Sequence, residues 1–160
     1  MRLPVEDVID KYRDPLFAAA FNVCRNRMDA EDAAQDAFIK YFSLNREYES
    51  EAHIRAWLLR VAINRAKDIS ASFWRRNKVE WEEYMETLEF EAPGDSRIFE
   101  AVMRLPEKQR IAIHLFYMEE YSVREIAHIL QSREGTVKSQ LSRGRTLLKT
   151  MLKEEWDDDE

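Results

Sequence analysis

The stretch SVREIAHILQSREGTVKSQLSRGRTLLKTM, residues 122–151, contains two short helical patterns separated by a few polar residues. Ser122 and Glu125 have the S-x-x-E spacing of a capping box, in which each side chain binds a free backbone amide of the first turn. This spacing predicts a helix that begins at Val123, and Ser132 is placed to cap a second helix. Apolar residues follow each start at three- and four-residue spacing, so each helix has one face for a shared core. Two such helices joined by a tight turn predict a helix-turn-helix.

The other face of the second helix carries hydrogen-bonding side chains at i, i+3, i+4 and i+7, close to the helix N-terminus. A recognition helix contacts base edges at this position. Residues 133–153 contain six basic side chains and one acidic one, a net charge of +5 that suits contact with phosphate. On charge alone a solvated amphipathic helix is equally acceptable, but the helix-turn-helix pattern favours DNA binding. The predicted DNA-facing residues are Thr136, Ser139, Gln140 and Arg143, flanked by Arg133, Lys138, Arg145, Lys149 and Lys153.

The composition favours an all-α chain. Among 160 residues there are only three Gly and four Pro, while 35% are charged, which is typical of helical proteins. The length allows one ordinary domain or two small ones. The one cysteine, Cys24, excludes an intramolecular disulfide and fits a buried thiol in a reducing compartment. Because no signal peptide, long apolar run or lipidation motif is present, we expect a cytoplasmic protein without direct membrane insertion.

The net charge of −6 is distributed unevenly along the chain. Residues 1–76 carry +1 and residues 97–153 carry +5, whereas residues 77–96 and 154–160 carry −6 each. A nucleic-acid-binding protein is judged by its basic patches and not by its total charge. The sequence therefore predicts two small helical domains joined by an acidic linker and followed by an acidic tail, the C-terminal domain being a four-helix helix-turn-helix domain.

The N-terminal part has helical spacing throughout. Residues 4–26 predict a pair of core helices, with Pro15 as a break or first-turn residue. In the next helix Asp29 is placed as the cap, and Phe42 belongs to the predicted buried stripe. Another side of this helix is either an ordinary solvated face or a docking surface for a basic partner. That side consists of Asp32, Gln35, Asp36 and Ile39.

A polar loop, residues 44–52, precedes a helix predicted from His53 to about residue 76. This helix has a second basic cluster of net charge +5, with Trp57, Phe73 and Trp74 on the same segment. Aromatic rings between basic side chains suit single-stranded nucleic acid, because unstacked bases can lie on the rings while cations hold the backbone. The alternative is that Trp57 belongs to the core. The cluster consists of Arg55, Arg60, Arg65, Lys67, Arg75 and Arg76 against Asp68, and Asn64 stands among them.

The order of these motifs closely resembles the extracytoplasmic-function group of bacterial sigma-70-type initiation factors. The segments DAEDAAQDAFIKYF, HIRAWLLRVAINRAKDI, LPEKQRIAIHLFYMEEYSVREIAHIL and EGTVKSQLSRGRTLLK follow one another in that family's order. The resemblance covers residues 5–152. Its most specific parts are the W-L-x-R-x-A-x-N run at residues 57–64 and the G-T-V-K-S-x-L-S-R-G-R run at residues 135–145.

The resemblance implies a role for the N-terminal domain. Residues 1–76 would be sigma domain 2, which binds and melts the minus-10 promoter element and captures a flipped base in the loop at residues 44–53. The side of the DAEDAAQDAF helix described above would dock on the clamp helices of core RNA polymerase. The implied DNA-facing residues are Trp57, Arg60, Asn64 and Lys67, and the implied polymerase contacts are Asp32, Gln35, Asp36 and Ile39.

The resemblance also implies roles for the rest of the chain. Residues 97–153 would be sigma domain 4, which reads the minus-35 element as duplex while resting on the polymerase flap. The acidic linker, residues 77–96, would thread through polymerase channels, and an anti-sigma factor would be a further partner. The tail, residues 154–160, is a candidate shield for the recognition helix. The implied duplex contacts are Arg133, Thr136, Lys138, Ser139 and Arg143, and the acidic Glu134 among them leaves the base that is read open.

Catalysis finds little support in the sequence. The three histidines are far apart and lack the spacing of metal ligands, and there is no glycine-rich phosphate loop. We therefore predict no enzyme activity, metal, cofactor or small-molecule substrate. Two alternatives remain: a helix-turn-helix regulator that binds duplex DNA without polymerase, and a polymerase-binding adaptor whose basic patches contact protein.

Overall fold

The computed structural model describes the backbone of residues 1–77 and 96–158 and the side chains of residues 1–71 and 97–154. These residues form two compact helical units, unit 1 within residues 1–77 and unit 2 within residues 96–158. The described residues contain helices and no strands, as the composition predicts. The acidic linker that the sequence predicts at residues 77–96 lies almost wholly outside the described residues.

Unit 1 is a three-helix bundle in which every pair of helices packs together. Its helices are α1 (Val5–Cys24), α2 (Arg27–Ser43) and α3 (Glu51–Asn77). Helix α1 runs through Pro15 without a break, so the predicted helix pair is wrong. A proline inside a helix removes one backbone hydrogen bond and crowds the preceding turn. Residues on both sides of it, including Val8 and Leu16, are fully buried, and this burial keeps the helix continuous.

The start of α2 also differs from the prediction. Asn26, and not Asp29, is the N-cap, and its Oδ1 accepts a hydrogen bond from the Asp29 amide at 2.9 Å. Arg25, at φ 57°, has a left-handed conformation that ends α1 and turns the chain directly into Asn26. Asp29 consequently lies in the first turn of α2, where its carboxylate is favoured by the helix dipole.

Helix α3 begins two residues earlier than predicted. The Ser50 hydroxyl accepts a hydrogen bond from the His53 amide at 3.1 Å, so Ser50 caps the helix. In return, His53 Nδ1 accepts a hydrogen bond from the Glu49 amide at 3.0 Å. The pair differs from a capping box in two ways: histidine replaces the usual glutamate, and it binds the amide of the residue before the N-cap.

Unit 2 contains four helices, as predicted: α4 (Ser96–Met103), α5 (Glu107–Ile113), α6 (Val123–Leu130) and α7 (Glu134–Asp158). A π-helical turn, His114–Met118, continues α5 directly. The capping box of α6 is confirmed, since the Ser122 amide donates to Glu125 Oε1 at 3.0 Å and the Glu125 amide donates to the Ser122 hydroxyl at 3.1 Å.

The turn between α6 and α7 is built by Gln131 at φ 53°. The Ser132 amide donates to the carbonyl of Ala127 at 2.9 Å and the Gln131 amide to that of His128 at 3.3 Å, the pair of bonds that defines a Schellman motif. The predicted Ser132 cap is wrong, because its buried Oγ has no hydrogen-bond partner among the described residues. Helix α7 begins at Glu134, one residue later than a Ser132 cap predicts. The carbonyl of Arg133 accepts its first backbone hydrogen bond, from the amide of Val137.

Gly144 allows α7 to lie directly against α5. A Cβ atom at this position would be 2.8 Å from Cγ1 of the buried Ile113 and 3.5 Å from Cβ of Gln109. Real Cβ atoms essentially never approach another atom so closely, so any side chain here would force Ile113 or the backbone of α7 to shift. By contrast, a Cβ atom on Gly135 would meet no atom within 4 Å.

We expect Gly144→Ala to lower the free energy of unfolding by about 1–3 kcal/mol, the usual cost of overpacking a close contact. Gly135→Ala is the matched control and should leave stability unchanged or raise it by up to about 1 kcal/mol, since alanine favours helix. Urea unfolding of the full-length chain followed by circular dichroism measures both. Equal effects of the two substitutions would contradict the close contact at Gly144.

Candidate nucleic-acid interface

The outer face of α7 presents three of the predicted base-contacting residues. Thr136, Ser139 and Arg143 are exposed, and residues of the opposite face, including Val137 and Leu141, are buried against unit 2. All three lie in the first three turns of the helix, where an end-on approach to a DNA groove brings side chains to base edges. Their arrangement therefore permits direct readout.

Gln140 is placed less favourably than its neighbours. It is half-buried at the edge of the exposed face, and its Oε1 is buried without a hydrogen-bond partner among the described residues. A buried carbonyl oxygen without a hydrogen-bond donor raises the free energy of the folded state, so a new hydrogen bond to this side chain would be favourable. At the edge of the face it can contact DNA only beside the three exposed residues.

Basic side chains surround this face, but they do not all have the same role. Arg133, Lys138, Lys149 and Lys153 are exposed. Arg145 is exposed too, but it is tied to the fold: its Nε donates to the Tyr117 hydroxyl at 2.7 Å, and its guanidinium carbon lies 5.4 Å from the ring centre of Phe116. This combined hydrogen bond and cation–π contact anchors α7 to the π-helical turn. The sequence did not separate Arg145 from the cations predicted to face DNA.

The second predicted DNA-facing set lies along α3. Trp57, Arg60, Asn64 and Lys67 follow one another at i, i+3, i+7 and i+10, so they share one side of the helix. Asn64 is exposed, and Arg60 and Lys67 are partly exposed. Trp57 differs, because only 8% of its surface is accessible. A base cannot stack on the Trp57 ring in this structure.

Tyr48, in the loop between α2 and α3 (residues 44–50), packs over Trp57. Its ring centre is 5.7 Å from that of Trp57, 5.6 Å from Tyr41 and 5.3 Å from His53. Burial raises the pKa of the Tyr48 hydroxyl, which has no hydrogen-bond partner within the described part of the chain. The Tyr48 side chain therefore contributes to holding this loop on unit 1 through its ring and not through its hydroxyl. The sequence marked the segment only as polar.

The outer side of α2 is more apolar than predicted. Asp32, Gln35 and Ile39 are exposed, and Asp36 is partly exposed and accepts a hydrogen bond from Arg65 Nε at 2.7 Å. Phe42, predicted to be buried, is 67% exposed on the same side as Ile39. The reason is helix geometry, because Tyr41 already occupies the inward position of that turn and is fully buried. Met28 is also exposed, and it extends this face by about one turn beyond Asp32 toward the start of α2.

Several predicted features lie outside the described side chains: Phe73, Trp74, Arg75 and Arg76, the linker at residues 77–96, and residues 155–160 of the tail. Within the described residues, no group of three or more His, Cys, Asp or Glu side chains could hold a metal ion. No helix of the described parts is long and apolar enough to cross a membrane.

Two family descriptions match most of the chain. Residues 8–79 match Sigma-70 region 2, and residues 96–148 match Sigma-70, region 4. Relatives with similar sequences include the ECF RNA polymerase sigma factor SigW of Bacillus subtilis, 28% identical over 92% of this chain and 88% of the relative. The ECF RNA polymerase sigma-E factor of Escherichia coli K12 is 29% identical over 73% of this chain and 70% of the relative.

A solved structure has the same fold. It contains the sigma factor RpoE from Bartonella quintana in complex with the anti-sigma factor NepR. The similarity covers 92% of this chain and 96% of that one, with a TM-score of 0.75 and 23% sequence identity.

Arg143 and Arg145 of α7 should differ in how much they contribute to the free energy of unfolding. Arg145→Ala should lower the free energy of unfolding by about 1 kcal/mol, because it removes the hydrogen bond to Tyr117 and the contact with Phe116. Arg143→Ala removes an exposed side chain and should change stability by less than about 0.5 kcal/mol. Denaturant unfolding of the two variants compares them, and a larger loss for Arg143→Ala would exclude the anchoring role of Arg145.

Proposed function

The chain belongs to the sigma-70 family of RNA polymerase sigma factors, in its extracytoplasmic-function group, and from this premise we propose how its two units divide the work of initiation. A sigma factor directs core RNA polymerase to specific promoters and initiates transcription there, while the polymerase carries out the chemistry. The observation that carries the assignment is the match to region 2 and region 4 in one chain, in that order.

We propose that α7 reads the minus-35 element as duplex DNA. The exposure of Thr136, Ser139 and Arg143 supports this role, since each can reach a base edge. Arginine makes two parallel hydrogen bonds to guanine in the major groove, and such a contact discriminates against the wrong base by about 1–3 kcal/mol. Arg133 and Lys138 would contact phosphates, and Gln140 would contribute from the edge of the face.

We propose that unit 1 melts the minus-10 element and holds the opened strand. Asn64, with Arg60 and Lys67 beside it, offers an amide and two cations along one side of α3. A protein that binds an unstacked base favours the open strand, because the closed duplex hides that base. The loop at residues 44–53 would receive the flipped base. The burial of Trp57 changes its proposed role from a stacking platform to a support under Tyr48.

We propose that the outer side of α2 docks on the polymerase clamp helices, through Asp32, Gln35, Asp36 and Ile39. The exposed apolar side chains of Met28 and Phe42 extend the surface beyond the residues that the sequence predicted. An apolar centre with a charged rim is the usual composition of a protein interface. Unit 2 would rest on the polymerase flap.

Regulation by a protein partner belongs to the same proposal. RpoE of Bartonella quintana has been crystallised with the anti-sigma factor NepR, and we propose that an anti-sigma factor likewise competes for the exposed faces of this chain. We place the protein in the cytoplasm, where polymerase and promoters are. The roles of the acidic linker and tail, and the absence of catalysis, a cofactor and a small-molecule substrate, remain predictions from the sequence.

Run-off transcription with purified bacterial core polymerase and a genomic fragment library tests the function. Discrete transcripts that share two spaced upstream motifs, and that require this protein, would support it. Footprints on duplex DNA without polymerase, together with no new transcription starts, would instead favour a helix-turn-helix regulator.

Removal of a single side chain should impair a different step of initiation in each unit. Arg143→Ala should weaken holoenzyme binding to the minus-35 duplex about tenfold or more, because one bidentate base contact is lost. Asn64→Ala should reduce opening of the minus-10 region, measured by permanganate reactivity of unpaired thymines, with little change in duplex binding.

Arg104→Ala serves as the control, since Arg104 is an exposed arginine of unit 2 outside the recognition face and its loss removes the same charge. It should leave both steps near the wild-type level. If Asn64→Ala and Arg143→Ala impair both steps equally, the proposed division between the units is incorrect.

A further inference from the structure

Arg2 holds the end of α2 and the beginning of the following loop. Its two terminal nitrogens donate hydrogen bonds to the carbonyl of Leu44 at 2.7 Å and to that of Tyr41 at 2.8 Å. Weaker contacts of 3.4 Å reach the carbonyls of Phe42 and Arg46. The guanidinium carbon also lies 4.6 Å from the ring centre of Tyr41. One side chain is therefore in contact with both sides of the helix–loop junction.

These contacts suit the chemistry of a helix end. The last carbonyls of a helix lack intrahelical partners and carry a partial negative charge, which a cation near the C-terminus stabilises. A guanidinium group is a planar fork, so it holds two carbonyls at a fixed spacing in a way that a lysine ammonium cannot. Arg2 thereby fixes the direction in which the chain leaves α2.

The far end of the loop is held by other contacts. The Tyr48 amide donates to the carbonyl of Met1 at 2.8 Å, and the Tyr48 ring packs between Tyr41 and Trp57. The Leu3 amide and the Tyr41 hydroxyl are joined as well, at 2.9 Å. Residues 1–3 thus lie along the loop and connect it to the body of unit 1 before any DNA is bound.

We propose that Arg2 is a positioning residue for capture of the flipped base: it holds the loop at residues 44–50 in the shape that receives the base. Arg2 itself does not touch the base. The inference rests on the proposed function, which assigns base capture to this loop. A preformed loop binds more tightly and more selectively, because less conformational freedom is lost when the base enters.

The alternative role for Arg2 is a contact between its charge and a DNA phosphate. The two roles predict different results. A phosphate contact would be restored by Arg2→Lys, and its loss in Arg2→Gln would reduce the dependence of binding on salt. A positioning role requires the fork, so Arg2→Lys and Arg2→Gln should both lose base selectivity while the salt dependence stays unchanged.

The experiment measures binding of fluorescent non-template-strand oligonucleotides to the holoenzyme, using the promoter found by run-off transcription. All four bases are placed in turn at each minus-10 position, and the ratio of dissociation constants defines the selectivity. We expect both Arg2 variants to reduce this ratio about tenfold at the captured position, the effect of losing about one charge-assisted hydrogen bond. A ratio is insensitive to the folded fraction, because misfolded protein weakens binding to every oligonucleotide equally.

Lys11→Gln is the matched control. It removes the same charge from unit 1 and breaks an ion pair between Lys11 and Glu51, which joins α1 to the start of α3. It should leave base selectivity unchanged. Wild-type selectivity in both Arg2 variants, rescue by Arg2→Lys, or an equal loss in Lys11→Gln would each overturn the positioning role. If the wild-type holoenzyme shows no base selectivity at any position, the proposed base capture fails together with this inference.

Discussion

Close packing of helices through small side chains is the constraint on which both units depend. The distance between two packed helices is set by the residues at their contact, and small residues bring the backbones nearest. Unit 1 buries a series of alanines along its three helices, and unit 2 has no side chain at all where Gly144 meets Ile113. The buried alanines of unit 1 are Ala19, Ala20, Ala30, Ala33, Ala34, Ala37, Ala62 and Ala66.

This packing determines where the functional faces lie. Because alanines and larger apolar residues together fill the inner sides of the helices, most charged side chains stand on the outer sides at the same helical spacing. On α2 the inward alanines leave Ile39 and Phe42 outside, and on α7 the inward Val137 and Gly144 leave Ser139 and Arg143 outside. The pattern that builds each core therefore also determines the surfaces that we propose for polymerase and DNA.

The sequence predicted those features that depend on neighbouring residues. The Ser122–Glu125 capping box, the two helices of the helix-turn-helix and the exposed face of α7 all follow from spacings of three or four residues. Where two caps compete nearby, spacing alone is insufficient: Asn26 caps α2 because Arg25 turns the chain there, and no local pattern predicted that conformation. Contacts between residues that are far apart in the sequence were missed too, because spacing within one helix does not predict which side chains of other elements it meets. Nothing within one helix predicts that Tyr48 covers Trp57, or that Arg145 binds Tyr117.

The packing of α2 against α3 gives the proposed initiation mechanism a mechanical basis. Asp36, on the proposed polymerase side, pairs with Arg65 of the helix that carries Asn64. Both side chains are about half-exposed, so this ion pair alone contributes only about 0–1 kcal/mol. The buried seam beneath it makes the two helices one body, because sliding them would expose apolar surface on both. If α2 binds polymerase as proposed, that contact therefore also sets the position of Asn64 on the proposed DNA side, and Arg2 extends the same body into the loop.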